Sequence, residues 1–296
     1  MKNILIIGAN GFTGRRILND LSVNPIYHVT GCSLRDDICP GKDYRFVRTD
    51  IRDENEVRKL FKECRPDIVI NTSALSVPDY CETHHAEAEA TNVTAVETIA
   101  HVCEQYGSRF IHLSTDFVFD GKSIRLYKEE DEAIPVNYYG VTKLKAEKII
   151  ASICSNYAIV RVVVVYGKAL PGQHGNILQL VANRLRNGET IRVVSDQWRT
   201  PTFVGDISVG VEKLMFHTAN GIYHICGSEC LTIAEIAYRV ADFLKLDRSL
   251  IEPVTTEEMK EATPRPRFSG LSIEKAKAEI GYTPRTFEEG MEASLF

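Results

Sequence analysis

A short apolar run, Ile4-Leu5-Ile6-Ile7, passes directly into Gly8-Ala9-Asn10-Gly11-Phe12-Thr13-Gly14, and a helical pattern over 13–21 opens at once. No other stretch constrains the fold as strongly. Gly8 permits a tight turn. Gly11 lets backbone approach a diphosphate with no Cβ in the way, and Gly14 lets the helix pack close to the strand. The helix N-terminus then aims free N–H groups and a positive dipole end at the same place. In this strand–turn–helix setting the pattern reads as a dinucleotide site, with Gly8, Asn10, Gly11, Phe12 and Gly14 around the cofactor.

The first half of the chain continues the alternation. Strand-like runs at 28–33, 45–49, 68–71, 110–114 and 158–165 are separated by helical patterns at 54–64, 86–106 and 141–153. Runs such as Val162-Val163-Val164-Val165 are apolar on both faces, as a sheet covered on both sides requires. The reading is an α/β chain with a doubly wound, Rossmann-type parallel sheet. After Tyr166-Gly167 the rhythm changes, and helices are expected at 177–187, 206–217 and 233–244. Residues 1–166 read as the nucleotide-binding domain. Residues 167–296 read mainly as a smaller C-terminal substrate-binding lobe, with part of 200–226 returning to the first domain.

Composition closes off other classes. Lys and Arg number 35 against 40 Asp and Glu, a net charge of −5, so no basic footprint for nucleic acid is forced. The longest apolar runs are far below a membrane span. The eight cysteines are scattered through apolar or helical stretches and read as free thiols in a reducing compartment. With no targeting segment in view, a cytoplasmic protein is expected. No acidic or Cys/His cluster assigns a metal, and His112, inside a strand, reads as a core residue.

The end of the second strand selects the cofactor. An acid on the ribose 2′-hydroxyl is usual for NAD; here Cys32-Ser33-Leu34-Arg35 stands in its place. Ser33 and Arg35 suit a 2′-phosphate, so NADPH is the preferred cofactor, with NADH as the alternative if Asp36 or Asp37 takes that position. Further on, Tyr139 has Lys143 four residues later, on one helical face. An ammonium beside a phenol lowers its pKa and lets it exchange a proton with a carbonyl or alcohol oxygen. A surface Tyr–Lys pair has the same spacing. Thr115 ends the fifth strand, where parallel sheets place their ligands; it reads as a contact to that same oxygen or as a local cap.

The glycine turn, Thr115 and Tyr139-x-x-x-Lys143 together resemble the extended short-chain dehydrogenase/reductase family. Asn71-Thr72-Ser73-Ala74, Ser114-Thr115-Asp116-Phe117-Val118-Phe119-Asp120-Gly121, Asp196-Gln197 with Pro201-Thr202, and Arg265-Pro266 with Ser269 and Leu271 carry the resemblance along nearly the whole chain. The resemblance implies hydride transfer from a nicotinamide to the C4 ketone of a nucleotide sugar. It implies Tyr139 as proton donor, Lys143 on the nicotinamide ribose, Thr115 on the ketone oxygen, Asp50 and Ile51 on the adenine side, and Ala74 beside the cofactor. Asp116 and Trp198 are candidate substrate contacts, Trp198 equally a packing residue. Arg199 and Arg267 are candidate diphosphate contacts, or else members of surface ion pairs. Two substrate-side positions depart from the family pattern: Val163-Val164-Val165 lacks its tryptophan, and Leu75 replaces an aromatic or histidine. A 4-keto-6-deoxy nucleotide sugar is the leading substrate. Another 4-keto nucleotide sugar, or a non-catalytic NADP-binding regulatory subunit of the same fold, remains open. A homodimer is compatible with the reading.

The cofactor assignment is tested by kcat/KM with NADPH and NADH. NADPH is expected to be preferred, and a clear NADH preference overturns the roles given to Ser33 and Arg35.

Overall fold

The computed structural model describes residues 1–41, 43–173 and 175–294. The first half runs β1 (Lys2–Ile7), α1 (Phe12–Ser22), β2 (Tyr27–Ser33), β3 (Arg45–Arg48), α2 (Glu54–Cys64), β4 (Ile68–Asn71), α3 (Pro78–Thr83), α4 (His85–Glu89), α5 (Ala95–Tyr106), β5 (Arg109–Thr115), α6 (Tyr138–Ile153) and β6 (Tyr157–Val162). The second half adds β7 (Val165–Tyr166), α7 (Ile177–Arg186), β8 (Ile191–Val194), β9 (Trp198–Arg199), β10 (Thr202–Phe203), α8 (Val204–Phe216), β11 (Gly221–His224), β12 (Leu231–Thr232) and α9 (Ile233–Leu244). It closes with β13 (Ile251–Val254), α10 (Thr256–Met259), α11 (Glu274–Ile280) and α12 (Phe287–Ala293).

Seven strands form one sheet in the order β11-β6-β5-β4-β1-β2-β3, every pair parallel. Side chains alternate across β1. Ile4 and Ile6 join Ile17, Leu18, Ile207 and Leu214 on one side. Leu5 and Ile7 join Leu60, Phe61, Ile99 and Ile150 on the other. A strand apolar throughout is therefore a strand with helices on both faces. After residue 166 a third apolar cluster gathers Val181, Leu185, Ile191, Val193, Ile236, Val240 and Phe287 from α7, β8, α9 and α12.

Two elements differ from the sequence reading. The helix expected over 86–106 is broken: a π-turn at Ala90–Thr94 separates α4 from α5. The extra backbone reach aims Asn92 inward, where its amide bonds both backbone groups of Leu75 at 2.8 and 3.0 Å and the Thr142 hydroxyl at 3.1 Å. The strand expected over 158–165 stops at Val162. Val164 takes a φ of +37° and the chain re-forms as β7, which pairs with β10 rather than with the main sheet. A β-branched side chain avoids that region, so apolar periodicity alone gives no sign of the break.

Below the carboxyl end of β5 lies a buried ion pair. Arg161 on β6 donates to both oxygens of Glu147 on α6, at 3.0 and 2.7 Å, and the Ser114 hydroxyl donates to the same carboxylate at 2.5 Å. Removing one partner strands a charge in a dry site. Arg161→Met is expected to cost about 3–5 kcal/mol in urea unfolding. Adding Glu147→Leu to that variant is expected to restore much of the loss.

Candidate active site

The chain leaves β1 toward β2 on one side and reaches β4 on the other, so the loops at their carboxyl ends part and leave a crevice. Its volume is about 840 Å3. Gly8, Asn10, Gly11, Phe12 and Gly14 line it, as do Ser33, Arg35, Asp50, Ile51, Ala74, Thr115, Asp116 and Tyr139. Gly8 has a φ of +83°, and a Cβ there would meet Ser73 N and Thr72 Oγ1 at 2.7 Å. A Cβ on Gly14 would overlap the Gly8 carbonyl. Helix α1 starts at this turn without a side-chain cap, so its first N–H groups stay available to an anion. The bare turn, the open helix end and the basic rim at Arg35 fit the diphosphate and ribose of a dinucleotide.

The rim is held by a polar staple. Asn10 donates to the carbonyls of Arg35 and Asp36 at 3.1 and 2.8 Å and accepts from Ile38 N at 3.2 Å. Buried Arg15 donates to Asn10 Oδ1 and to the Tyr44 hydroxyl, both at 2.8 Å, and is ion-paired with Asp37. Burial raises the Asp37 carboxyl, but bonds from Cys39, Tyr44 and Arg15 outweigh it and leave the pKa low. That carboxylate is therefore committed to Arg15, Tyr44 and the Cys39 N–H. Asp50 is likewise occupied: Arg52 grips it at 2.9 and 2.6 Å and is the main cause of its lowered pKa.

At the other end, Thr115 closes β5. Its hydroxyl accepts from Phe117 N at 3.2 Å and donates to Asp116 at 3.1 Å. Asn137 caps α6 by accepting from Gly140 N at 2.9 Å, and the first turn of α6 thereby carries Tyr139 to the crevice, edge-on to Phe117. Burial raises the Tyr139 phenol above its ordinary value; the Thr115 hydroxyl opposes this, while Asp116 and Cys81 add to it. The phenol is a protonated acid at neutral pH. Lys143, expected on the nicotinamide ribose, is buried one turn on and lies outside the lining of the crevice; its amine does not act on the phenol as the i, i+4 spacing suggests. Lys143 Nζ donates to Leu113 O at 2.7 Å and meets His112 Nε2 at 2.8 Å. Burial brings it down to about 8, with Glu147 opposing.

Three candidate substrate contacts lie outside the lining of the crevice. Arg199 is enclosed: its donors go to the carbonyls of Trp198 at 2.8 Å, Arg267 at 3.3 Å and Pro266 at 2.8 Å and to Gln197 Oε1 at 2.9 Å, with Asp116 at 3.7 Å. It ties strand β9 to the 266–269 segment and has no donor left for a phosphate. Arg267 is exposed and paired with Glu257. Trp198 sits on β9 against Phe268. Asp116 does reach the crevice wall, yet its carboxylate is held by Ser269, Thr115 and Arg199, and burial raises its pKa. The sequence reading missed Gln173, Asn176 and Arg265, which also line the crevice. Gln173 donates to the carbonyls of Asn10 and Gly11 at 3.1 and 3.2 Å across more than 160 residues, a contact without a local signal. Arg265 stands in the Arg265-Pro266 motif that carries the family resemblance and was the readable one.

An open parallel sheet, a glycine turn at its switch point and a Thr–Tyr pair facing the same crevice define a dinucleotide-binding α/β protein of the extended short-chain dehydrogenase/reductase class. The chain belongs to the family described as RmlD substrate binding domain, which matches residues 1–295. It is 30% identical over 97% of its length, and 95% of the relative's, to a probable low-salt glycan biosynthesis reductase, Agl14, of Haloferax volcanii. It is 31% identical over its full length to the methionine adenosyltransferase 2 subunit beta of Xenopus laevis, covering 87% of that protein. Among solved structures, the dTDP-4-dehydrorhamnose reductase of Bacillus anthracis in complex with NADP superimposes with a TM-score of 0.88 at 27% identity, over 100% of this chain and 99% of that one.

The staple gives a direct test of the rim. Asn10→Ala removes the bonds to the Arg35 and Asp36 carbonyls and is expected to weaken NADPH binding about 10-fold, the effect of one or two lost hydrogen bonds. Fluorescence titration measures it, and an unchanged Kd removes Asn10 from the binding account.

Proposed function

We propose that this protein is an NADPH-dependent reductase of the C4 ketone of a 4-keto-6-deoxy nucleotide sugar, of the dTDP-4-dehydrorhamnose reductase type. The observation that carries the reading is the convergence of Thr115 and Tyr139 on the crevice that the glycine turn opens at its far end. The Bacillus anthracis structure, a reductase with NADP, and the reductase relative from Haloferax volcanii support it.

When bound, NADPH supplies the hydride to the ketone carbon. The remaining work falls to the chain. The glycine turn and the α1 N-terminus receive the diphosphate, with Ser33 and Arg35 at the 2′-phosphate. Thr115 orients the ketone oxygen, and Tyr139 gives its phenolic proton to that oxygen as negative charge develops. Burial suits Tyr139 to this direction of reaction, because it keeps the proton in place throughout the neutral range. Arg265, which lines the crevice with Arg35 and Arg52 and is held by Glu261 at 3.1 Å, takes the part of diphosphate contact for the nucleotide sugar first assigned to Arg199 and Arg267.

A second reading has its own support. Full-length similarity to the methionine adenosyltransferase 2 subunit beta favours an NADP-binding regulator built on the same crevice. NADPH oxidation over a panel of 4-keto nucleotide sugars separates the two. The reductase reading expects turnover with at least one sugar and, in Tyr139→Phe, a fall of about 10²–10⁴-fold in kcat with little change in NADPH affinity. NADPH binding without turnover on any keto sugar, together with tight binding to a methionine adenosyltransferase, favours the regulator.

A further inference from the structure

A row of buried polar groups runs beneath the crevice floor from β4 to α6, and the function described above leaves its middle unused. Asn71, His112 and Lys143 are all enclosed. Asn71 Oδ1 accepts from the backbone N–H of Ser73 at 3.0 Å and from its hydroxyl at 2.6 Å. A backbone N–H can only donate, so the orientation of this amide is fixed and Asn71 Nδ2 faces His112 Nδ1 at 3.1 Å. Nδ2 is a donor, which makes Nδ1 the acceptor. The proton of a neutral imidazole then sits on Nε2. That nitrogen lies 2.8 Å from Lys143 Nζ. An Nε2–H donor needs a lone pair opposite, and an ammonium has none. A free amine has one, and it still donates to Leu113 O at 2.7 Å.

We propose that His112 is a positioning residue that holds Lys143 as an uncharged amine while the crevice is empty, so that NADPH binding draws one proton from solvent onto Lys143 Nζ. The inference rests on the reading above that NADPH binds here. Charging Lys143 sets an N–H of the ammonium against the Nε2–H of His112. The conflict ends only if the imidazole shifts its proton to Nδ1, losing the Asn71 bond, or if the ammonium leaves His112 for the anionic ligand. Cofactor charge pulls in the second direction, which delivers the ammonium where the family resemblance expects it.

Of the elements packed on α6, α3 contributes Cys81, whose thiol burial keeps protonated, and the turn after β5 contributes Asp116, which Ser269, Thr115 and Arg199 occupy. On α6 the charged neighbour is Glu147, which favours the ammonium but is itself tied to Arg161 of β6 and Ser114 of β5. Tyr139, a turn earlier on α6, stays neutral. Helix α5 packs on α6 through Val96, Ile99 and Cys103, whose thiol burial keeps protonated. From β5 the facing titratable group is His112, which burial pushes well below its ordinary value, so it is neutral. Burial also disfavours charge on Lys143 and sets the working window near pH 8.

The test is calorimetric titration of the full-length protein with NADPH at pH 8 in buffers of different ionisation enthalpy. The wild type is expected to take up about half a proton or more per NADPH bound. Lys143→Arg, a permanent cation, is expected to bind with no uptake, and His112→Phe with a smaller uptake than the wild type. Tight binding with no uptake in the wild type, or the same uptake in His112→Phe, overturns the proposal. Absence of NADPH binding by the wild type instead overturns the cofactor reading beneath it. If His112→Phe does not fold, nitrogen-15 spectra of the wild-type histidines decide the matter. His112 protonated at Nε2 in the free protein supports the proposal, and protonation at Nδ1 sinks it.

Discussion

Parallel pairing of β1 with β2 on one edge and β4 on the other is the constraint from which the rest follows. Right-handed crossovers send the chain over one face for the first pairing and over the opposite face for the second. Loops at the carboxyl ends are thereby driven apart at a single place. Gly8 follows β1, Ser33 ends β2, Asp50 follows β3, Ala74 follows β4 and Thr115 ends β5, and all five reach the same crevice. Their nearness is a property of the sheet order and not of any attraction among them.

Where a residue's place in the fold is set by its own neighbours, the sequence revealed that place. Helices α2 and α9 and strand β4 have the bounds that capping residues and apolar spacing indicate; Asp53 caps α2 and Thr232 opens α9 with a reciprocal bond to Glu235. The glycine turn and Tyr139 were legible for the same reason, a strand end or a helix start being visible locally. Arg199 was not. Whether a guanidinium meets phosphate or backbone depends on carbonyls nearly 70 residues away, at Pro266 and Arg267. The π-turn and the bend at Val164 escaped because apolar periodicity records which residues are inside and says nothing of backbone angles.

Beneath the crevice floor the apolar core gives way to two polar threads. One joins Ser114, Glu147 and Arg161, the other Ser73, Asn71, His112 and Lys143, and they pass through β5 two residues apart, at Ser114 and His112, and through α6 four residues apart, at Glu147 and Lys143. Side chains alternate along β5, so both threads emerge on the one face that α6 covers. Helix α6 is therefore clamped electrostatically as well as by packing, which fixes the rotation of the turn that bears Tyr139.

Val164 ties the width of the crevice to a distant part of the chain. Left-handed backbone at a β-branched residue costs on the order of 1–3 kcal/mol and persists only where its surroundings hold it. Here the hold comes from Thr202, whose hydroxyl donates to Val163 O at 2.6 Å and whose N–H donates to Val164 O at 3.2 Å. Both residues stand beside the opening of α8, the helix that leads back to the sheet. The crevice wall at Val164 is thus mechanically geared to the docking of α8, and the room inside the crevice is decided as much by that seating as by the side chains that line it.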